Sequence, residues 1–312
     1  MGPSPDVADV FPTFEAAARC RFRLVLSVEP ERLNRSFLAI LHPVFERGVG
    51  RTWSIGNRLQ SPPQEFVARV GGGADVGLEF LDYFLDFAKL SEDDTVLDFG
   101  CGTGRMAIPL QMFLSETGRY VGIDVDQRLI AWCKENIQEK DGRFEFLHVQ
   151  ARNDLYNPDG RLDVTEMALP VRTGSTSFAF ATSVFTHLRA EHSEHYLREL
   201  GRVLRPGGRL LMTAFVVDAA LENEDRGPTS ELTFEKLDSE TWTTDPALPE
   251  RAIGFRLETL NRWASSGGMT LVRILPGTWV GGAEGHSYQD ILVYSKNTVI
   301  IRADGAARIE ND

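Results

Sequence analysis

From Thr95 to Lys296, strand-like and helix-like runs take turns, and this alternation constrains the fold more than any other feature of the chain. "TVLDF", "RYVGIDV", "RFEFLHV" and "FAFATSVF" are short apolar runs that read as strands. Between the first three lie two helices. "RMAIPLQMFLSETG" is closed by Gly118, and "DQRLIAWCKENIQEKDG" has Asp126 as its N-cap and Gly142 after its end. "AEHSEHYLRELGRVL" is a further helix and "RPGGRLLMTAFVV" a turn followed by a strand. "FRLETLNRWASSGG" is a helix, and "MTLVRILP" and "SYQDILVYSK" are the last strands. The pattern predicts a parallel, doubly wound α/β sheet with helices on both faces. The final two strands are joined by roughly 12 residues without helical periodicity, too few for a covered crossover, so that pair is expected to be antiparallel.

The flanks read differently. "RLNRSFLAILHPVFERGV" sets Leu33, Phe37, Ile40, Leu41, Val44 and Phe45 at helical spacing, with Pro43 as a kink. "GNRLQSPPQEF" is a loop, and Gly71 to Gly77 a hinge or a close-approach loop. "LEFLDYFLDFAKL", Leu78 to Leu90, is a second amphipathic helix. The expected organisation is an N-terminal helical extension over 1–90, a sheet domain over 91–296 interrupted by an acidic cover at about 218–251, and a tail over 297–312.

Composition narrows the partners. With 42% apolar residues among 312, the chain can bury a sizeable core. Its net charge is -12 and its arginines are scattered. Such a chain is a poor non-specific binder of nucleic acid or anionic membrane, so neither partner is expected. Cys20, Cys101 and Cys133 give an odd count without a CxxC pair, which argues against a disulfide framework or a zinc ribbon and for a reducing cytoplasm. "MGPSPDVADV" lacks the basic and apolar regions of a signal peptide, and no apolar run approaches the ~20 residues of a membrane span.

"VLDFGCGTGR" places Gly100, Gly102 and Gly104 between the first strand and its helix. In α/β sheets a nucleotide-like ligand sits there, because glycine lets it approach the backbone. A dinucleotide fingerprint is GxGxxG. Here the third glycine comes one position early and Arg105 follows it. Asp124, at the end of the second strand, has the carboxylate that accepts ribose hydroxyls. The chain thus carries a glycine loop and a ribose-reading acid without the pyrophosphate spacing.

Five blocks in order, "VLDFGCGTGR", "GIDVD", "FAFATSVFTHL", "YLRELGRVLRPGGRLLMTAF" and "SYQDILVYSK", resemble the class I S-adenosylmethionine-dependent methyltransferases. The resemblance covers Ser91 to Lys296. It implies a seven-stranded, mostly parallel sheet with an antiparallel last strand, S-adenosylmethionine as cofactor with S-adenosylhomocysteine as product, and a small-molecule acceptor. It puts Asp98 and Gly100 at the methionine end of the cofactor. Gly102 and Gly104 keep the loop open to it, and Asp124 meets the ribose. Ile123 or Val125 lies against the adenine. Gln150 and Ala151 fall where the family presents an acceptor to the adenine amino group, with Asn153 or Asp154 as alternatives. Thr182 and Ser183 close the methionine side.

Methyl transfer to a hydroxyl needs a base near neutrality or a metal ion. His187 in "SVFTHL" follows the fourth strand on the ligand edge and is the candidate catalytic base, against the bland alternative of a loop or helix-capping histidine. Thr186 and Phe185 are expected to shape the same wall. No metal is expected. His192 and His195 sit at i, i+3 without a third ligand and read as a solvated helix face. Asp218 reads as an exposed acid. His286, with Glu284 and Asp290, either reaches the acceptor pocket or is a loop histidine. Trp53, Tyr83, Phe84, Trp242 and Trp279 either line that pocket or pack an appended helix. Arg105 either covers the cofactor carboxylate or pairs on the surface.

By resemblance the acceptor is a hydroxyl of a sugar or natural product, with amine and lipid acceptors and a homo-oligomeric state left open. Two rivals stand beside this reading. Arg105 in place of a fingerprint glycine speaks against an NAD-dependent oxidoreductase. A non-catalytic cofactor-binding partner or sensor would keep the glycines and lack an acceptor cavity.

Overall fold

A computed structural model describes residues 62–70, 74–218, 232–280, 285–301 and 307–310. The helix expected over Leu33 to Phe45 lies outside these residues, as do Cys20, Trp53 and Glu284.

Two helices come first, α1 (Gln64–Val70) and α2 (Ala74–Ala88). The alternation follows: β1 (Thr95–Phe99), α3 (Ala107–Phe113), β2 (Arg119–Asp124), α4 (Gln127–Cys133) and β3 (Phe144–His148). Next come β4 (Thr176–Ala181), α5 (Ala190–Val203) and β5 (Leu204–Val216). Three short strands then appear, β6 (Glu235–Lys236), β7 (Thr241–Thr243) and β8 (Ile253–Phe255). The chain continues through α6 (Leu257–Ser266), β9 (Met269–Leu275) and β10 (Asp290–Lys296). A separate antiparallel ribbon, β11 (Thr298–Ile301) with β12 (Ala307–Glu310), ends the described chain.

The main sheet has ten strands, not the seven expected. Seven of them run β3-β2-β1-β4-β5-β10-β9. The first five are mutually parallel, and β10 is antiparallel to both β5 and β9. This is the reversed last strand that the short final connection requires. Two of the three additional strands, β6 and β7, come from the stretch read as a cover, and β8 follows directly after it. β8 pairs in parallel with Phe215 and Val216, and β7 and β6 follow it antiparallel. β5 serves both neighbours because Arg209 to Ala214 face β10 while its last two residues run past that edge. Strands of two or three residues show no readable periodicity and are not legible in the sequence. The expected "RPGG" turn is absorbed into β5, with Gly207 at φ +75° and a register shift opposite Thr176 to Phe178.

Alternation within each strand divides the core in two. Phe178, Phe180, Leu211 and Val293 face one side, under α2, α3 and α4. Ala179, Ala181, Leu210, Met212 and Leu292 face the other, under α5 and α6. Phe84 of α2 is fully buried, 4.5 Å from the ring of Phe180 and 5.1 Å from that of Phe178. Losing such a side chain costs about 3–5 kcal/mol, so α2 is anchored to the sheet rather than laid over it. Trp242 and Trp279 are buried with Phe215 in a third cluster beside the added strands. None of Tyr83, Phe84, Trp242 and Trp279 lines the cavity described below; they pack.

Candidate active site

The parallel strands end on one side of the sheet, and a cavity of about 620 Å³ opens there. Its floor is the turn between β1 and α3. Gly100 and Cys101 donate their N–H groups to the Ile123 carbonyl at 2.8 and 3.0 Å, which curls the loop over the end of β2. Gly100, Gly102 and Gly104 have φ of +83°, +54° and +70°, a region that other residues rarely adopt. A Cβ on Gly100 would lie 2.4 Å from Val184 Cγ2. One on Gly104 would lie 2.8 Å from Ile137 Cδ1, away from the cavity. Gly104 therefore serves close packing against the segment after α4, while Gly100 and Gly102 line the cavity.

Asp124, half-buried at the end of β2, holds the loop. Its Oδ2 accepts the Gly102 N–H at 2.7 Å and its Oδ1 the Asp126 N–H at 2.8 Å. Burial pushes its pKa up, and these backbone donors oppose the shift. Asp126 is the N-cap of α4, accepting from the Arg128 N–H.

Asp98, only 1% exposed, is the most perturbed acid of the wall. Its Oδ2 accepts the Tyr120 hydroxyl at 2.5 Å. Its Oδ1 is buried and has no partner among the described residues. Burial raises its pKa to about 7, the Tyr120 hydrogen bond and the Arg105 charge pull it down, and Asp124 pushes it up. Arg105, 8% exposed, lies inside the site, where its Nη1 donates to the Val70 carbonyl at 2.7 Å and ties α1 to the loop.

Across the cavity, the chain after β4 supplies Thr182, Ser183 and His187. Ser183 is held at φ +57° and donates its N–H to Thr213 Oγ1 at 2.7 Å. His187 is half-buried, and its Nδ1 lies 2.8 Å from the Glu250 carbonyl. A carbonyl only accepts, so Nδ1 carries the proton and the neutral ring keeps its lone pair on Nε2. Burial lowers the His187 pKa, and the hydrogen bond to Glu250 opposes this. The edge of Tyr156 meets its ring at 5.4 Å.

Asp98, Gly100, Gly102, Asp124, Val125, Ala151, Ser183 and His187 thus share one cavity. Gln150 does not. It is exposed beside a neighbouring surface groove, and its carbonyl accepts from Arg161 and Leu162. Asn153 reaches the wall instead, but its amide is engaged: Oδ1 accepts from Leu155 and Tyr156, and Nδ2 donates to the His187 carbonyl.

Several other expectations are corrected. His195 is buried rather than solvated, with Nε2 2.7 Å from the Met167 carbonyl, because α5 tucks it beneath the 163–167 turn. Asp218 accepts the Leu257 N–H at 2.7 Å and caps the start of α6. Asp290 is buried and takes three N–H groups, so it is unavailable to an acceptor. His286 is exposed and packs its ring on Phe87 and Tyr83. No group of three His, Cys, Asp or Glu that could hold a metal occurs among the described residues. Nor is any helix among them long and apolar enough to cross a membrane. Sequence reasoning missed Tyr120 and Gln289, whose only signal is strand position: Tyr120 is a polar aromatic inside a buried strand, and Gln289 immediately precedes β10.

Comparison with known proteins places this geometry. A family model described as a methyltransferase domain matches residues 96–208. The arsenite methyltransferase of Halobacterium salinarum is 28% identical over 158 residues, 51% of this chain and 36% of that protein. The ubiquinone/menaquinone biosynthesis C-methyltransferase of Pseudomonas fluorescens is 26% identical over 135 residues, 43% of this chain and 46% of that protein. The chain therefore spans less than half the length of these curated relatives. A crystal structure of a SAM-dependent methyltransferase from Aquifex aeolicus aligns at 18% identity over 75% of this chain and 98% of that one, with a TM-score of 0.47. The matched domain carries the glycine loop, Asp124 and His187 on the strand order given above. Residues 96–208 of this chain thus match a methyltransferase domain.

Proposed function

We propose that this protein methylates a hydroxyl of a small-molecule acceptor, a sugar or natural product, with His187 as the base. One observation carries the reading: a single cavity brings together the unpartnered Asp98 Oδ1, the Asp124 carboxylate and His187.

The residues fit the cofactor's chemistry. Asp98 Oδ1 is a buried acceptor without a donor among the described residues, and the ammonium of the methionine portion supplies one. Gly100 and Gly102 leave that portion room to lie against backbone. The Asp124 carboxylate, already fixed by two N–H groups, offers its remaining lone pairs to the ribose hydroxyls. Val125 and Ile123 give the adenine an apolar edge, with Ala151 beyond them. Thr182 and Ser183 close the methionine side.

When bound, S-adenosylmethionine presents a methyl group on a sulfonium, a leaving group that needs no protonation. The protein's task is then alignment, exclusion of water and removal of the acceptor proton. His187 Nε2 would take that proton from the acceptor hydroxyl, freeing its oxygen to receive the methyl. Its lowered pKa keeps the ring neutral at physiological pH. Val70, Val76 and Phe80 extend the cavity toward α1 and α2 and give an acceptor an apolar wall. That space supports turnover over a module that only binds the cofactor.

The test is to incubate the protein with methyl-labelled S-adenosylmethionine and a panel of hydroxylated sugars and aromatic natural products. Label on an acceptor oxygen, lost in His187→Ala, is the expected result. Label on carbon or nitrogen, or no transfer by protein that binds the cofactor, would contradict it.

A further inference from the structure

Gln289 has no task in the reaction above, yet its surroundings fix it closely. The next residue, Asp290, accepts N–H groups from Val216, Gly277 and Trp279, each at 2.8 Å, and so ties the backbone to β5 and to the turn after β9. The side chain is fixed in turn. Thr213, 1% exposed, accepts the Ser183 N–H and donates its hydroxyl to Gln289 Oε1 at 2.6 Å. The Ser183 hydroxyl donates to the same Oε1 at 3.2 Å. Ser183 pays for its place in this network with φ +57°, a conformation that a non-glycine residue keeps only where its surroundings over-determine it. Both hydroxyls engage Oε1, so the amide nitrogen and its two N–H groups are left without a partner among the described residues. Gln289 lines the cavity beside Ser183, Gly100 and Tyr288.

We propose that Gln289 is the specificity-determining donor of the acceptor site, selecting an acceptor whose reacting hydroxyl is phenolic, so that its oxygen is planar and electron-rich as the proton leaves. This rests on the methyl-transfer reading. Turning the oxygen toward the acceptor would take Oε1 away from the two hydroxyl protons that it accepts, so the site disfavours an approaching donor such as an alkylammonium. The Phe80 and Tyr288 side chains on the same cavity suit a flat ring.

The test uses the full chain saturated with S-adenosylhomocysteine, with 4-nitrophenol as probe. Calorimetry with S-adenosylhomocysteine comes first, on wild type, Gln289→Leu and Gln289→Glu. Wild type that does not bind it overturns the methyltransferase reading itself and not the role of Gln289 alone. Both variants should still bind it at saturating concentration, which also shows that they fold. The probe is then added at a pH below its own pKa, where its phenolate form is read by visible absorbance. Wild type should bind it and raise the phenolate fraction. Gln289→Leu should bind it about tenfold or more weakly. Gln289→Glu should shift bound probe to the neutral phenol. Loaded wild type that does not bind the probe, binds it without a phenolate gain, or matches Gln289→Glu would overturn the proposal. If one variant fails to fold, the wild-type spectrum and the other variant decide.

Discussion

The Tyr120 hydroxyl donates to Asp98 Oδ2 at 2.5 Å and leaves Oδ1 buried without a partner among the described residues. Two adjacent strands create this arrangement, since Asp98 of β1 lies opposite Gly122, two residues on from Tyr120 in β2. The free protein holds a carboxyl that burial has raised to about 7. Its folded pKa lies above the unfolded value, so the folded state binds more protons between pH 4 and 7 and loses stability as pH rises through that window. A cation at Oδ1 reverses the preference. Asp98→Asn is therefore expected to be at least as stable as wild type at pH 8, by thermal melting, while binding S-adenosylmethionine about 1–3 kcal/mol more weakly. A variant that melts lower and binds normally would remove Asp98 from the site.

Tyr120→Phe separates the two carboxylate oxygens. Without that hydrogen bond to the charged form, the Asp98 pKa moves further up. Cofactor affinity should drop near pH 7 and recover toward pH 9. A uniform loss across that range would mean that Tyr120 acts through packing alone.

The loop glycines divide by what they face. Gly102→Val should abolish cofactor binding, a loss beyond the stability cost that φ +54° imposes on any side chain, since Gly102 lines the cavity. Gly104→Ala should act on stability, by about 1–3 kcal/mol, because its Cβ meets Ile137 and its φ is +70°. Circular dichroism melts read beside calorimetry would show the division. Equal effects on both readouts would contradict it.

This division marks where the sequence is informative. The glycine pattern, Asp124 and the β-α alternation are set by local spacing, and all are legible without coordinates. The seven central strands are legible for the same reason, and so is the reversed β10, from the length of the connection before it. What a glycine's missing Cβ would touch is a tertiary matter, as is the Glu250 carbonyl that fixes the tautomer of His187 across 63 residues. Strands β6 to β8 are too short for periodicity, and Gln150 falls outside the cavity because the chain after Val149 turns it outward. Arg105 was undecidable from sequence because its partner, the Val70 carbonyl, is a backbone atom on a different helix.

His187→Ala should lower turnover about 10²-fold or more with cofactor affinity unchanged. The pH profile adds a sign. Burial lowers the His187 pKa from its usual 6.5, so the neutral base persists on acidification and the acid limb of the rate should fall below pH 6.5. A limb above that pH, or a rate that the variant leaves intact, would assign the proton to another group.

The central claim is that the cavity holds S-adenosylmethionine, and calorimetric titration of the wild-type protein with S-adenosylhomocysteine, with NADH as control, tests it most directly. The account predicts micromolar binding of S-adenosylhomocysteine alone, weakened by about 1–3 kcal/mol in Asp124→Ala. Preference for NADH, or no binding of either, would contradict it.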